Sequence, residues 1–155
     1  MSLKNLNASK KIHRFLLNKL KDRRALKIYK KFELELATNK NFIVAVSGGP
    51  DSLALSFLSK IYSIKKSLDV KYFIVDHRLR KNSTTEAKYI QKKLKNFSIK
   101  LNILAWRGLK PYKNIQSIAR EKRYKLLCDR AKKHRIETIL VGHHLDDLFE
   151  NFFLR

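Results

Sequence analysis

The chain has 155 residues, room for one domain with a substantial core but hardly for two. Its apolar fraction is 44%, ordinary for a globular protein, and no apolar run approaches the roughly 18 residues of a membrane span. Thirty-six Lys and Arg against 13 acids give a net charge of +23, an excess that attracts a polyanion such as RNA or else merely solvates lysine-rich helix faces.

The basic start, MSLKNLNASKKIHRFLL, has no apolar core followed by a small-residue cleavage site, so no secretory signal is read. A single cysteine, Cys128, excludes an internal disulfide and fits a reducing cytoplasm. Beside Leu126 and Leu127 in a helical stretch, it is expected to be a buried structural thiol.

In residues 1–40, Ile12, Phe15, Leu16 and Leu20, then Leu26, Tyr29, Phe32 and Leu36, recur near a 3.6-residue period. They predict one or two amphipathic helices with basic outer faces, packed against the sheet edge or helping to gather RNA. No Pro- or Gly-rich linker follows. These helices are therefore an extension of a single domain that begins at residue 41.

From Phe42 onward, strand and helix alternate. Phe42–Val46 is a short apolar run with β-branched residues, suited to a strand buried on both faces. The turn SGGPDS, Ser47–Ser52, leads into a helix expected over about Asp51–Lys66. A second strand follows over Lys71–Asp76, then a helix over about Thr84–Lys95. A third strand spans Ile99–Ala105, and a loop with Gly108 and Pro111 leads to a long helix over about Ile115–His134. The fourth strand is Thr138–Val141, with a last helix from near His144. Repeated βα units predict an α/β fold with a doubly wound, mostly parallel sheet. In such a sheet the loops after the strand carboxyl ends share one rim, where ligands bind. SGGPDS, DHRLR and GHHLDD all fall on that rim.

The SGGPDS turn carries the most specific chemistry. A strand that ends in a glycine turn and feeds straight into a helix aims backbone N–H groups at one point, where the helix dipole favours phosphate. Gly48 and Gly49 are expected to take left-handed backbone angles and approach the anion closely. Pro50 suits the first helical position, Ser47 and Ser52 can donate hydroxyl hydrogen bonds, and Asp51 can hold a Mg²⁺ ion. The turn lacks the lysine of a Walker A sequence.

At the end of the second strand, Asp76 can bind a nucleotide or a metal, with His77 beside it, and Arg78 and Arg80 can fork onto phosphate oxygens. Ser83 and Glu86 read as a capping box for the next helix. Arg120 and Lys113 can face a triphosphate or RNA, whereas Tyr124 is expected to pack. Trp106 beside Arg107 either stacks on a base or closes the core. His143, His144, Asp146 and Asp147 form the densest polar cluster. It has neither the H-x-x-x-H spacing nor the cysteine partner of a zinc site; its carboxylates suit Mg²⁺ near a pyrophosphate, and one histidine can act as a general base.

SGGPDS resembles the PP-loop of the N-type ATP pyrophosphatases, which split ATP between the α and β phosphates. Joined to VDHRLR (Val75–Arg80), Ser83 with Glu86 and Ala87, AREKRY (Ala119–Tyr124) and GHHLDD (Gly142–Asp147), it makes the chain from Phe42 to the end resemble the N-terminal domain of the tRNA(Ile)-lysidine synthase family. That resemblance implies ATP binding by Ser47, Gly48, Gly49, Pro50, Asp51, Ser52, Asp76, His77 and Arg120. It implies catalytic roles for His143, Asp146 and Asp147, Mg²⁺ on Asp51 and Asp147, and RNA or phosphate contacts by Arg78, Arg80 and Arg123. The family pattern HHxDDQxET has Leu148 here in place of Gln and Asn151 in place of Thr, while Glu150 is kept.

The implied reaction is that of a cytoplasmic ligase: ATP adenylates the wobble cytidine of isoleucine tRNA with a CAU anticodon, pyrophosphate leaves, and free L-lysine displaces AMP. Because the family continues beyond the GHHLDD helix, the ATP-binding domain, residues 41–155, is expected to be incomplete at its C-terminal end. Two alternatives stand beside this one. Another PP-loop tRNA-modifying enzyme, such as a tRNA thiolase, would share the loop, although cluster- or thiol-based chemistry wants several cysteines. A truncated, inactive nucleotide- or RNA-binding domain would share it too.

Overall fold

The computed structural model describes residues 3–108 and 111–142. Two helices, α1 (Leu3–Asn18) and α2 (Arg23–Leu36), are joined by a single 3-10 turn, Lys19–Lys21. Asp22 starts α2 by accepting the Ala25 N–H at 2.9 Å, as an N-cap carboxylate does. Leu16 and Tyr29 are buried, with Ile12, Leu20, Phe32 and Leu36 packed around them, so the 3.6-residue stripe is the inner face except at Phe15, which is 47% exposed. The pair packs on α3 (Pro50–Lys66), and Phe15 of α1 also reaches Phe97 at 6.5 Å. The contact with α3 is aromatic: Phe32 meets Tyr62 of α3 edge to face at 6.0 Å, and the Tyr62 hydroxyl donates to the Thr38 carbonyl.

The four strands β1 (Ile43–Val46), β2 (Lys71–Asp76), β3 (Leu101–Ala105) and β4 (Ile139–Val141) form one parallel sheet in the order β3-β2-β1-β4. The connections run through α3, α4 (Ser83–Lys95) and α5 (Ile115–His134). Side chains alternate between the faces, as the pleat requires. Val44, Val46, Tyr72, Ile74 and Leu101 share a core with residues of α1 to α4, whereas Ile43, Phe73 and Leu104 pack against Leu127 and Ala131 of α5. Both faces of the sheet are covered, which makes it doubly wound. The chain steps from β1 to β2 to β3 and then crosses to β4 on the other side of β1, so the strand order reverses at β1, where open α/β sheets bind ligands.

The second strand and the long helix fall on the expected residues, and the other three strands start one or two residues later. Two local expectations are overturned. Cys128 is exposed, because successive helical residues are about 100° apart and Leu127 holds the inward position. Ser83 and Glu86 make no capping box: Asn82 holds the cap position without a side-chain bond, and Ser83 is already helical. The Ser83 hydroxyl goes to Asp76 and the Glu86 carboxylate to Arg80, stronger charged partners than a backbone N–H. Among the described residues no helix is long and apolar enough to cross a membrane.

Candidate functional site

A cleft of about 650 Å³ opens at the carboxyl ends of β1, β2 and β4, between α4 and α5. Its walls include Ser47 after β1, Asp76 and His77 after β2, Gly142 after β4, Arg80 and Ile90, and Arg123 of α5. Three of the segments singled out in the sequence therefore meet on one rim.

The Ser47–Ser52 turn is wound around one oxygen. The Ser52 Oγ accepts the N–H groups of Ser47 and Gly48, both at 3.1 Å, lies 3.0 Å from the Ser47 hydroxyl and donates to the Gly49 carbonyl at 2.9 Å. Ser52 is buried, so it shapes the turn from inside, while the Ser47 hydroxyl borders the cleft. Gly48 has φ +95°, a conformation that L side chains rarely adopt, and a Cβ there would overlap Ile90 Cδ1. Gly49, expected to be left-handed, has φ −73° and ψ 163°. One positive φ suffices to reverse the chain, and Gly49 then serves as the extended cap of α3, with Pro50 in the first turn as expected.

β4 ends at the same place. A Cβ on Gly142 would lie 2.9 Å from the Ser52 nitrogen and 3.2 Å from the Asp51 carbonyl carbon. Only a residue without a side chain lets β4 end so close to the first turn of α3. His143, His144, Asp146 and Asp147 lie outside the described residues.

Asp76 is fully engaged. Its Oδ1 accepts from the Ser83 hydroxyl at 2.7 Å and the Arg78 N–H at 3.0 Å, and its Oδ2 from the Thr84 hydroxyl at 2.6 Å. Burial raises its pKa, but these hydrogen bonds and the nearby Arg78 guanidinium outweigh that and hold it below the usual carboxylate value. The bond to Arg78, two residues on, is an aspartate turn, and it supports Arg78 at φ +54°. Asp76 therefore fixes the DHRLR loop to the start of α4.

His77 lies edge-on to Trp106, with ring centroids 6.4 Å apart, and its Nε2 accepts from the Arg123 Nε at 3.4 Å. Burial first, then the Arg123 charge, lower its pKa, so the ring is neutral near pH 7. Its Nδ1, which must then carry the proton, is buried without a hydrogen-bond partner among the described residues. Trp106 is half-buried and braces this ring. Arg80 stands at the cleft, paired with Glu86 at 3.0 Å on the surface. Arg123 borders the cleft; Arg120, one turn earlier, lies over the Tyr124 ring at 5.8 Å.

Among the described residues no three His, Cys, Asp or Glu side chains gather as a metal cluster. Mg²⁺ needs only one or two carboxylates when substrate phosphates complete its shell. Asp51, exposed in the first turn of α3, supplies a carboxylate on this side of the cleft, whereas both oxygens of Asp76 serve the DHRLR loop and the start of α4. Thr84, Ile90 and Gly142 were not singled out as site residues in the sequence. Only Gly142 left a trace there, as a glycine directly after a strand.

A family model described as a PP-loop domain matches residues 17–155. Curated tRNA(Ile)-lysidine synthases are similar to the chain: that of Orientia tsutsugamushi is 40% identical over 76% of this chain and 26% of its own length, and that of Lactobacillus gasseri 40% over 76% and 27%. That of Rickettsia felis is 35% identical over 83% of this chain and 31% of its own length. The chain thus spans between about a quarter and a third of these relatives. Among solved structures, a U34-tRNA thiolase from Methanococcus maripaludis is similar in fold, with a TM-score of 0.66 at 21% identity over 81% of this chain and 48% of that one. The family match runs over nearly the whole chain and takes in the glycine turn, the aspartate turn and the end of β4 that meet on the rim, and this chain belongs to the ATP-binding PP-loop domain family.

Proposed function

We propose that the chain is the ATP-handling part of an enzyme that joins free L-lysine to the wobble cytidine of isoleucine tRNA with a CAU anticodon. In this reading ATP adenylates the cytidine and pyrophosphate leaves; the lysine amine then displaces AMP, and lysidine results. The observation that carries it is the contact of Gly142 with the Ser52 backbone, which brings the start of GHHLDD against the phosphate-binding turn. A reaction at the α-phosphate needs the pyrophosphate site and the proton-handling groups at one centre. The lysidine synthase relatives support this choice of reaction.

The residues then divide by task. The turn Ser47–Ser52 holds the tail of ATP, with Gly49 as its close approach and Ser47 as its hydroxyl donor. Asp51, with Asp147, would hold Mg²⁺, which when bound offsets the charge on the departing pyrophosphate. Asp76 keeps the DHRLR loop in place, so that Arg78 and Arg80 stand ready for phosphate. Neutral His77, held by Arg123, lines the nucleotide cleft. His143, with Asp146, accepts the proton that the lysine amine loses as it attacks. The basic surface gathers tRNA, and the reaction belongs to the cytoplasm.

Exchange of labelled pyrophosphate into ATP tests the reading, run with and without lysine and tRNA of CAU anticodon. Exchange that requires this tRNA, with lysine then consumed, is the expected result. ATP binding with no exchange under any condition assigns the chain to an inactive nucleotide-binding domain instead.

A further inference from the structure

A second concave surface lies away from the cleft, where the C-terminal half of α4 meets the edge strand β3. Lys88, Lys92 and Lys95 recur at helical spacing along one side of this groove, over about 10 Å. Lys100 lines it from the approach to β3. Among the described residues none of the four is paired with a carboxylate, and the sequence has no acid between Glu86 and Glu121. The negative end of the α4 dipole offsets only about half a charge of this set.

In the groove the Gln91 amide donates to the Leu101 carbonyl at 2.7 Å, so this carbonyl of the edge strand is already occupied and unavailable to an added protein strand. On the next face of α4, Tyr89 is 60% exposed, with the Lys93 ammonium 5.2 Å from its ring centre. Clustered ammonium groups beside an exposed, flat aromatic ring form the combination that takes up a nucleic-acid strand, phosphates on the lysines and a base on the ring.

We propose that the groove formed by Lys88, Lys92, Lys95 and Lys100 binds the sugar-phosphate backbone of RNA, as a contact separate from the cleft at the rim. α4 is about 20 Å long, so the groove engages a part of the RNA well removed from the reacting base. The inference rests on RNA being the partner and adds where its backbone runs.

The test compares two variants of the chain, each lacking four lysines. One carries Lys88→Gln, Lys92→Gln, Lys95→Gln and Lys100→Gln; the control carries Lys66→Gln, Lys125→Gln, Lys132→Gln and Lys133→Gln on other exposed surface. Binding of labelled tRNA, and of an unrelated RNA of equal length, is followed across a salt series. The groove variant is expected to bind either RNA at least about tenfold more weakly near 0.1 M salt, with a log–log salt slope shallower by about 3, while the control changes less than about threefold. Equal losses in both variants, or no loss in the groove variant, overturn the proposal. So does a wild-type chain that binds no RNA. Equal binding of the two RNAs by the wild type leaves the groove standing and counts against the tRNA reading alone. If the groove variant fails to fold, reductive methylation of the wild type decides. Slower labelling of the four lysines when RNA is added supports the groove, and unchanged labelling overturns it.

Discussion

Gly142 and Ser52 touch where no side chain fits: a Cβ on Gly142 would stand 2.9 Å from the Ser52 nitrogen and 3.0 Å from its Cα. Both neighbours are backbone atoms in the first turn of a helix, so neither can swing aside. Gly142→Ala is therefore expected to push the end of β4 away from α3 and to destabilise the chain by about 2 kcal/mol, the usual cost of overpacking. Thermal unfolding measures the loss, and titration with ATP should show weaker binding even at temperatures where the variant is folded. A variant with wild-type melting and wild-type ATP affinity would separate the two loops.

The two glycines of the turn should behave differently. Gly48→Ala places a side chain at φ +95° and onto Ile90, and is expected to lower stability by more than about 1 kcal/mol. Shortening Ile90 in addition should recover only the part due to crowding. Gly49 has ordinary angles, and a Cβ there would meet nothing closer than the Ser47 hydroxyl at 3.7 Å. Gly49→Ala should therefore melt like the wild type and yet bind ATP more weakly, if phosphate comes up against that position. Unfolding curves paired with ATP titrations distinguish the two.

These cases mark what was legible in the residues. β2 was readable as a short apolar run because it is buried on both faces, and α5 because a glycine- and proline-bearing loop and the next apolar run bound it. The rim was readable because parallel βα units put every strand-end loop on one side. Hydrogen-bond direction was not. The serines of the turn read as donors to a phosphate, but Ser52 faces inward and takes two N–H groups. Likewise, S-x-x-E after a loop is compatible with a cap, and only the nearness of Asp76 decides where the Ser83 hydroxyl goes. The chain has four glycines, and three of them stand at the turn and the β4 loop, while the helix ends at Ala37, Ser67 and Arg135 take positive φ without one. That distribution is itself a signal that glycine is kept for close approach.

Asp76 supplies a pH dependence. Its folded pKa is held below 3.8, so its hydrogen bonds contribute fully above the unfolded value and are lost as pH falls from there through the folded pKa. Asp76→Ala should cost about 3 kcal/mol at neutral pH, because two hydroxyls and the Arg78 N–H lose a charged acceptor. Asp76→Asn should cost less, since an amide oxygen still accepts. In either variant the gap from wild type should be constant above about pH 5 and shrink below pH 4, as read from urea unfolding across the acid range. A gap that is flat down to pH 2 would mean that the carboxylate holds no depressed pKa.

His77 and Arg123 give the opposite kind of handle, a ring kept neutral. Burial and the neighbouring guanidinium both lower the imidazole pKa from 6.5, and the Asp76 charge opposes them without prevailing. Since the unfolded chain binds that proton more readily, stability is full above pH 6.5 and falls as pH drops through the folded value. Arg123→Gln removes the charge but leaves the burial, so the ring should titrate at a higher pH than in the wild type yet still below 6.5. Proton NMR of the His77 ring reads both midpoints directly. The tautomer follows from the same bond: with Arg123 donating to Nε2, the proton sits on Nδ1, a buried donor lining the cleft. A phosphate oxygen that accepts from Nδ1 should therefore raise the midpoint, because an anionic acceptor stabilises the charged ring more than the neutral one. Addition of ATP is expected to produce that shift, and a midpoint that ATP leaves unmoved would place the nucleotide out of reach of His77.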